Sequence, residues 1–202
     1  MEITALGWAA MNGHEEVVRI LLERDDVDPN KPDVCGRTPL LWAAANGQEE
    51  VVKLLLGRDD INPDKPGQID QTPLSRAAAN GHGGVVEILL GRDDVNPDKP
   101  DVYGVTPLWL GASRGYEDVV KLLLGRDDVN PDRPDNHGQT PLLLAVRSRH
   151  EGVVRLLLGR GDVDPNRLDD YGETPFSCAV GNGHAEVIAL LQSPIPITHS
   201  AT

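Results

Sequence analysis

The dipeptide Thr-Pro falls at Thr38-Pro39, Thr72-Pro73, Thr106-Pro107, Thr140-Pro141 and Thr174-Pro175, and the interval is 34 residues every time. Thr4-Ala5 sits one further period upstream. A period of roughly 20 to 50 residues that recurs without a phase slip allows one class of answer, a stacked array whose units bury their apolar faces against one another. No single unit of this length has room for a pocket. Function is therefore sought on the surface that neighbouring units share.

Composition fits thin layers better than one large core. Three Trp, three Tyr and one Phe in 202 residues supply little aromatic bulk, whereas Leu, Val and Ala recur in every period. The period predicts one continuous domain over residues 1–192, with units at about 1–33, 34–67, 68–101, 102–135, 136–169 and 170–192, followed by a flexible tail at 193–202. Cys35 and Cys178 lie about four units apart. With helical layers roughly 8–10 Å from each other they cannot pair within the chain, and they read as free thiols in a reducing, cytoplasmic compartment. No apolar run long enough for a membrane span and no secretory leader is expected. A net charge of −13 argues against a general nucleic-acid binder.

One unit can be read from its fourth copy. Thr106 is placed to cap a helix, and Pro107 occupies the first helical position, where its missing N–H costs nothing. The first helix stops at Gly115, which supplies a positive φ, and Glu117 and Asp118 put negative charge at the start of a second helix. Val119, Val120, Leu122, Leu123 and Leu124 make that helix apolar around most of its circumference, as a layer between layers requires. The closing stretch from Gly125 to Pro134 is polar, and its two prolines, Pro131 and Pro134, favour a projecting turn over helix.

Asp-x-x-Gly-x-Thr-Pro-Leu, an Ala, Asn-Gly-His, Val-Val-x-Leu-Leu-Leu and Asp-Val-Asn together resemble the ankyrin repeat, and the resemblance runs from residue 1 to about 192. It implies an all-α solenoid of six helix–turn–helix units with projecting β-hairpin-like loops. The pattern departs at the position of the family's usual His after Thr-Pro-Leu, which here is Gly7, Leu41, Ser75, Trp109, Leu143 and Ser177. That puts the inter-repeat bonds of the His in doubt. The loop after the second helix is one residue shorter and the Asn-Pro-Asp hairpin two longer than usual. These hairpins resemble those of ankyrin arrays attached to fungal NACHT-type, NLR-like signalling proteins.

Comparing the copies separates scaffold from variation. Asp28, Asn62, Asn96, Asn130 and Asp164 share one position, so a short side-chain acceptor persists there and a charge does not, which points to an Asx-turn. Asp25, Asp59, Asp93 and Asp127 correspond to Gly161, an exchange that suggests a left-handed helix terminus. The acidic pairs that follow each Arg lack the converging oxygens of a calcium site and read as a solvated edge. His14, His82, His150 and His184 share a slot that also accepts Gln48 and Tyr116, so they read as turn-packing residues. Gly13, Gly47, Gly81, Gly115 and Gly183 align with Arg149, which is expected to carry a positive φ. No nucleophile elbow, phosphate loop or zinc-protease motif is present, so no enzyme activity, cofactor or metal is expected.

Variation concentrates in the free positions of the Asp-x-x-Gly-x-Thr turns and on the first helices, the two strips that the resemblance assigns to a concave partner-binding groove. The expected contacts are Trp8, Arg37, Trp42, Ile69, Arg76, Tyr103, Val105, Leu110, Arg114, His137, Leu144, Arg147 and Tyr171. Each large side chain has a structural reading beside this one: Trp8 and Trp42 as rings packed between helices, Arg114 and Arg147 as solvated cations. Arg37, Arg76, Arg114 and Arg147 in an acidic chain favour a protein or peptide partner with acidic anchors among apolar residues. The expectation is a recognition module, the ligand-sensing part of a larger signalling protein, monomeric or weakly associated end to end. The alternative is a passive or self-associating scaffold without a dedicated ligand, which the near-identity of the Gly-Arg-Asp-Asp-Val-Asn-Pro-Asp segments favours.

Overall fold

The computed structural model describes residues 3–193. The tail expected at 193–202 lies outside these residues, apart from Ser193. Among them the chain forms twelve α-helices: α1 (Ala5–Met11), α2 (Glu15–Leu22), α3 (Pro39–Ala45), α4 (Glu49–Leu56), α5 (Pro73–Asn80), α6 (Gly83–Leu90), α7 (Pro107–Arg114), α8 (Glu117–Leu124), α9 (Pro141–Arg147), α10 (Glu151–Leu158), α11 (Pro175–Gly181) and α12 (Ala185–Gln192). A single 3₁₀ turn, Gln68–Asp70, interrupts the pattern. The chain divides into two compact units, Met1–Val102 and Tyr103–Thr202. In the first, α1, α3 and α5 pack in one row and α2, α4 and α6 in another; in the second, α7, α9 and α11 face α8, α10 and α12 in the same manner.

Each pair begins as the sequence dictates. Thr38, Thr72, Thr106, Thr140 and Thr174 hold extended backbone and accept a hydrogen bond from the N–H three residues on, while proline fills the first turn. Thr4 caps α1 in the same way without the proline. The first helices approach closely because their shared faces are small: Ala9, Ala10, Ala43, Ala44, Ala77, Ala78 and Ala145 are fully buried. Leu40, Leu74, Leu108 and Leu142 fill the space above them, and trimming such a leucine to alanine costs about 2–5 kcal/mol. The loops that lead into the first helices close through two main-chain bonds each, from Asp33 N–H to the Arg37 carbonyl and from Gly36 N–H to the Asp33 carbonyl, and likewise between Asp135, Gly138 and Gln139 and between Asp169, Gly172 and Glu173. No strand forms among the described residues.

Polar rungs tie neighbouring repeats together within each unit. Arg58 donates from Nη1 to the Leu22 carbonyl (2.7 Å) at the end of α2, Arg92 to Leu56 (3.0 Å) and Arg160 to Leu124 (2.7 Å). Such bonds satisfy carbonyls a helix end leaves open, with a cation where the dipole favours it. The acidic residues beyond each Arg hold it in place: Asp60, Asp94 and Asp128 form bidentate pairs with Arg58, Arg92 and Arg126. Hydrogen bonding from these guanidinium groups, opposed by desolvation, keeps the three carboxyls below their ordinary range. The expected acidic edge is thus half of a set of clamps, which explains why this segment varies so little.

The shared His slot is a second rung. A His82 ring nitrogen bonds the Ala45 carbonyl (3.1 Å), His150 bonds Ser113 (3.2 Å) and His184 bonds Val146 (3.0 Å). The ring of His82 lies over Gly47 and that of His150 over Gly115, so closely that a Cβ at either glycine would meet it at 2.7 or 2.6 Å. These glycines are therefore needed twice, for φ values of 70° and 76° and for space. Arg149 in the same slot has φ 57°, as expected. One expectation fails: Gly161 is left-handed at φ 84°, but Asp25, Asp59, Asp93 and Asp127 are not among the residues of positive φ. The preceding glycines Gly57, Gly91, Gly125 and Gly159 all close their helices in ordinary right-handed geometry, so the left-handed residue at Gly161 lies beyond the helix end and is no part of its termination.

Candidate functional site

The loop at Asp33–Thr38 shows how the ordinary turn is built. The Asp33 carboxylate, almost fully buried, accepts the N–H groups of Cys35 (2.8 Å) and Arg37 (2.9 Å) through Oδ1. Its Oδ2 accepts Arg37 Nε (2.9 Å) and Trp42 Nε1 (3.3 Å). Burial opposes the charge, yet these bonds outweigh it and hold the carboxyl below its ordinary range. The Arg37 guanidinium lies 4.0 Å over the Trp42 ring. Arg37 and Trp42 are thus fixed by one another and by Asp33. Gly36, at φ 75°, lets the chain reverse.

The third repeat breaks this arrangement. The aspartate and the glycine have exchanged places: Gly67 stands where Asp33 would be, and Asp70 where Gly36 would be. Without a carboxylate to organise it, the loop winds into the 3₁₀ turn Gln68–Asp70, and two non-glycine residues become left-handed, Ile69 at φ 54° and Asp70 at φ 61°. For a β-branched side chain this is a true outlier. The turn holds Ile69 42 % exposed beside a depression of about 240 Å³ lined by Arg37, Leu41, Gly67, Gln68, Ile69, Gln71 and Arg76. None of these lining residues is acidic, and two are arginines. Arg76 Nη1 donates to Gln71 Oε1 (3.1 Å), which holds the guanidinium at the rim. The Ile69 carbonyl accepts the N–H of Val102 (3.1 Å), which anchors the loop from behind.

Three of the residues named from the sequence, Arg37, Ile69 and Arg76, meet here, and Trp42 stacks behind Arg37. Gln68 and Gln71, free positions of the same turn and so part of the expected strip, complete the lining together with Leu41 and Gly67, which were not expected there. Their signal was available in the exchange of Asp and Gly between positions 67 and 70. In the first unit Trp8 also stands half exposed.

In the second unit the loop tips form a row. Tyr103, His137 and Tyr171 follow one another at the repeat interval and are exposed, with the rings of His137 and Tyr171 stacked at 6.5 Å. Main-chain bonds from Asn136 N–H to the Tyr103 carbonyl (2.9 Å) and from Asp170 N–H to the His137 carbonyl (3.1 Å) set their spacing. Val105 and Leu144 are half-buried, Leu110 is buried and Arg114 is exposed. Arg147 is engaged internally, donating to Glu173 (3.0 Å) and to the buried Asp169 (3.4 Å). Trp109, at the position of the missing His, donates its indole N–H to the Gln139 carbonyl (3.1 Å) of the next repeat, so one inter-repeat bond survives the substitution. Among the described residues no three His, Cys, Asp or Glu side chains converge to hold a metal ion.

Comparison with known proteins decides the family. The family model described as "Ankyrin repeats (3 copies)" matches residues 1–66, 62–135 and 127–199. The chain is an ankyrin-repeat protein. It is similar to the solved structure titled "EF0377 an Ankyrin Repeat Protein", with 28 % sequence identity and a TM-score of 0.87 over 96 % of this chain and 100 % of that one. No curated protein matches the sequence. Ankyrin repeats are in general non-enzymatic modules for binding other proteins. Among the described residues no helix is long and apolar enough to cross a membrane.

Proposed function

We propose that this ankyrin array is a recognition module that binds a protein or peptide, and that the depression around Ile69 holds the partner's anchor. The observation that carries this reading is the strained loop. Consecutive left-handed residues cost on the order of 1–3 kcal/mol each and persist where the surroundings or a function require them. Here the strain presents a branched apolar side chain between two arginines, in a protein of net charge −13. A partner that carries a carboxylate beside an apolar side chain fits this chemistry, the carboxylate toward Arg76 and Arg37 and the apolar group against Ile69 and Leu41. In the second unit the Tyr103, His137 and Tyr171 row offers aromatic area of the kind that dominates interface energetics, while Arg147 is paired to Glu173 and holds its own loop.

The array serves in this reading as the ligand-sensing part of a larger cytoplasmic signalling protein. Its near-identical segments favour a scaffold only weakly, because the arginines Arg58, Arg92 and Arg160 use that sequence to hold the preceding repeat.

The test is capture of partners from native extract by the wild-type chain, by Ile69→Asp and by Arg76→Ala, with Glu16→Gln on the opposite helical layer as control. Loss of the same captured protein with both groove variants, and retention with the control, supports the assignment. Equal capture by all four refutes it.

A further inference from the structure

A third rung between repeats is incomplete in a way that a proton would mend. In the first interface Asn30 makes two bonds to the following repeat: Oδ1 accepts the N–H of Asn62 (3.1 Å), and Nδ2 donates to the Asp60 carbonyl (2.6 Å). Asp64 and Asp132 hold the same position one and three periods on. Each makes the first bond. Asp64 Oδ2 accepts the N–H of Asn96 (2.9 Å), and Asp132 Oδ2 accepts that of Asp164 (2.7 Å). Each fails to make the second, because Oδ1 of both is buried and has no hydrogen-bond partner. The carbonyls that correspond to Asp60 belong to Asp94 and Asp162. A carboxylate oxygen cannot donate to a carbonyl; a carboxylic acid can.

We propose that Asp64 and Asp132 are proton-operated rungs: protonation turns Oδ1 from an orphaned acceptor into a donor to the Asp94 and Asp162 carbonyls, and the interfaces tighten as pH falls. A buried oxygen without a partner carries a desolvation cost, and the neutral acid removes most of it while adding the bond that Asn30 makes at every pH. The electrostatic surroundings point the same way. Burial is the largest influence on Asp64 and pushes its carboxyl above the ordinary range, aided by Asp94 and opposed by the Asn96 N–H and by Lys99, whose Nζ donates to the Asp64 carbonyl (2.9 Å). Burial also leads at Asp132, where the charges of Asp164 and Asp162 add to it and the Asp164 N–H and Arg167 oppose it. With a folded pKa above the unfolded one, each group binds its proton more tightly when folded. The destabilisation it causes is present above the folded pKa and is relieved as pH falls through it.

The experiment compares thermal unfolding of the wild-type chain, Asp64→Asn/Asp132→Asn and Asn30→Asp between pH 7 and pH 4, alongside carbon-13 titration of the wild-type aspartate carboxyls. Asparagine is already tolerated at this position at Asn30 and Asn166, so the double variant keeps a native side chain. The double variant is expected to melt above wild type at pH 7 by about 2–4 °C for each restored bond, with the gap closing toward pH 4, and Asn30→Asp to fall below wild type with a gap that closes likewise. Asp64 and Asp132 should titrate above the ordinary aspartate value of about 3.9. A melting gap that does not change with pH, or two carboxyls that titrate at or below that value, overturns the proposal.

Discussion

Restoring the ordinary turn in the third repeat, by exchanging Gly67→Asp and Asp70→Gly in one molecule, should stabilise the array and abolish partner binding at the groove. The exchange keeps composition and charge constant. The unfolded-chain entropy lost by one substitution is regained by the other, so the measurement isolates the folded state. Relief of left-handed backbone at Ile69 and Asp70 contributes about 1–2 kcal/mol for each residue. A carboxylate at position 67 would then accept two loop N–H groups as Asp33 does, a net gain of about 1 kcal/mol. Against this stands Leu41 Cδ1, which lies 2.9 Å from where a Cβ at Gly67 would be built and must rotate away at a cost of about 1 kcal/mol. Arg76 occupies the place of Trp42, so the new carboxylate meets a cation and draws it out of the groove. The balance is about 2–4 kcal/mol, or about 4–16 °C in melting temperature for a chain of this size. Circular dichroism melts give the stability, and titration with the captured partner gives the binding. A swap that melts at or below wild type refutes the strain argument; one that melts higher and binds equally well severs the strain from recognition.

Arg149→Gly should raise stability slightly, by about 0.5 kcal/mol, since relief of the left-handed residue at φ 57° exceeds the loss of its exposed pairs with Glu186 and Glu151 and the added freedom of glycine; a melting temperature that falls would show that the ion pairs dominate. In the first unit the amides of α2 should exchange faster than those of α4, because Val17 and Ile20 are about half exposed and Val18 is its single fully buried side chain, whereas α4 buries Val51, Val52, Leu55 and Leu56. Equal protection of the two helices by mass-resolved hydrogen exchange would contradict this.

The helices and their caps were legible because they rest on local chemistry repeated five times. Thr before Pro, glycine after the first helix and a run of Val and Leu each act within a few residues, so a period of 34 announces them all. The roles of the charged loop residues were not legible, because their partners lie about a full repeat away. Arg58 looks like surface decoration until Leu22, 36 residues earlier, is seen to present its carbonyl. The positive φ at Arg149 could be inferred by alignment with glycines, yet the same argument applied to Asp25 and Gly161 failed. The difference is physical: after the Arg149 slot the next N–H returns to the first helix, His150 to the Ala145 carbonyl as His14 to Ala9, Gln48 to Ala43, His82 to Ala77, Tyr116 to Gly111 and His184 to Ala179 in the other repeats, and that bond requires the left-handed residue before it. Alignment predicts backbone geometry where a repeated hydrogen bond enforces it and misleads where none does.

The site follows the same division. Arg37, Ile69 and Arg76 were found as variable residues, but variation alone also selected Arg147, which the fold uses to hold Glu173 and Asp169, and Leu110, which it buries. What marks the depression these three line is a conflict between local preference and observed backbone at Ile69 and Asp70. A loop that places isoleucine and aspartate in left-handed geometry, when the neighbouring loops use glycine, gives up stability that a simple exchange of two residues would recover. The loop at Gln68–Asp70 is therefore where local preference and observed backbone disagree most openly among the described residues.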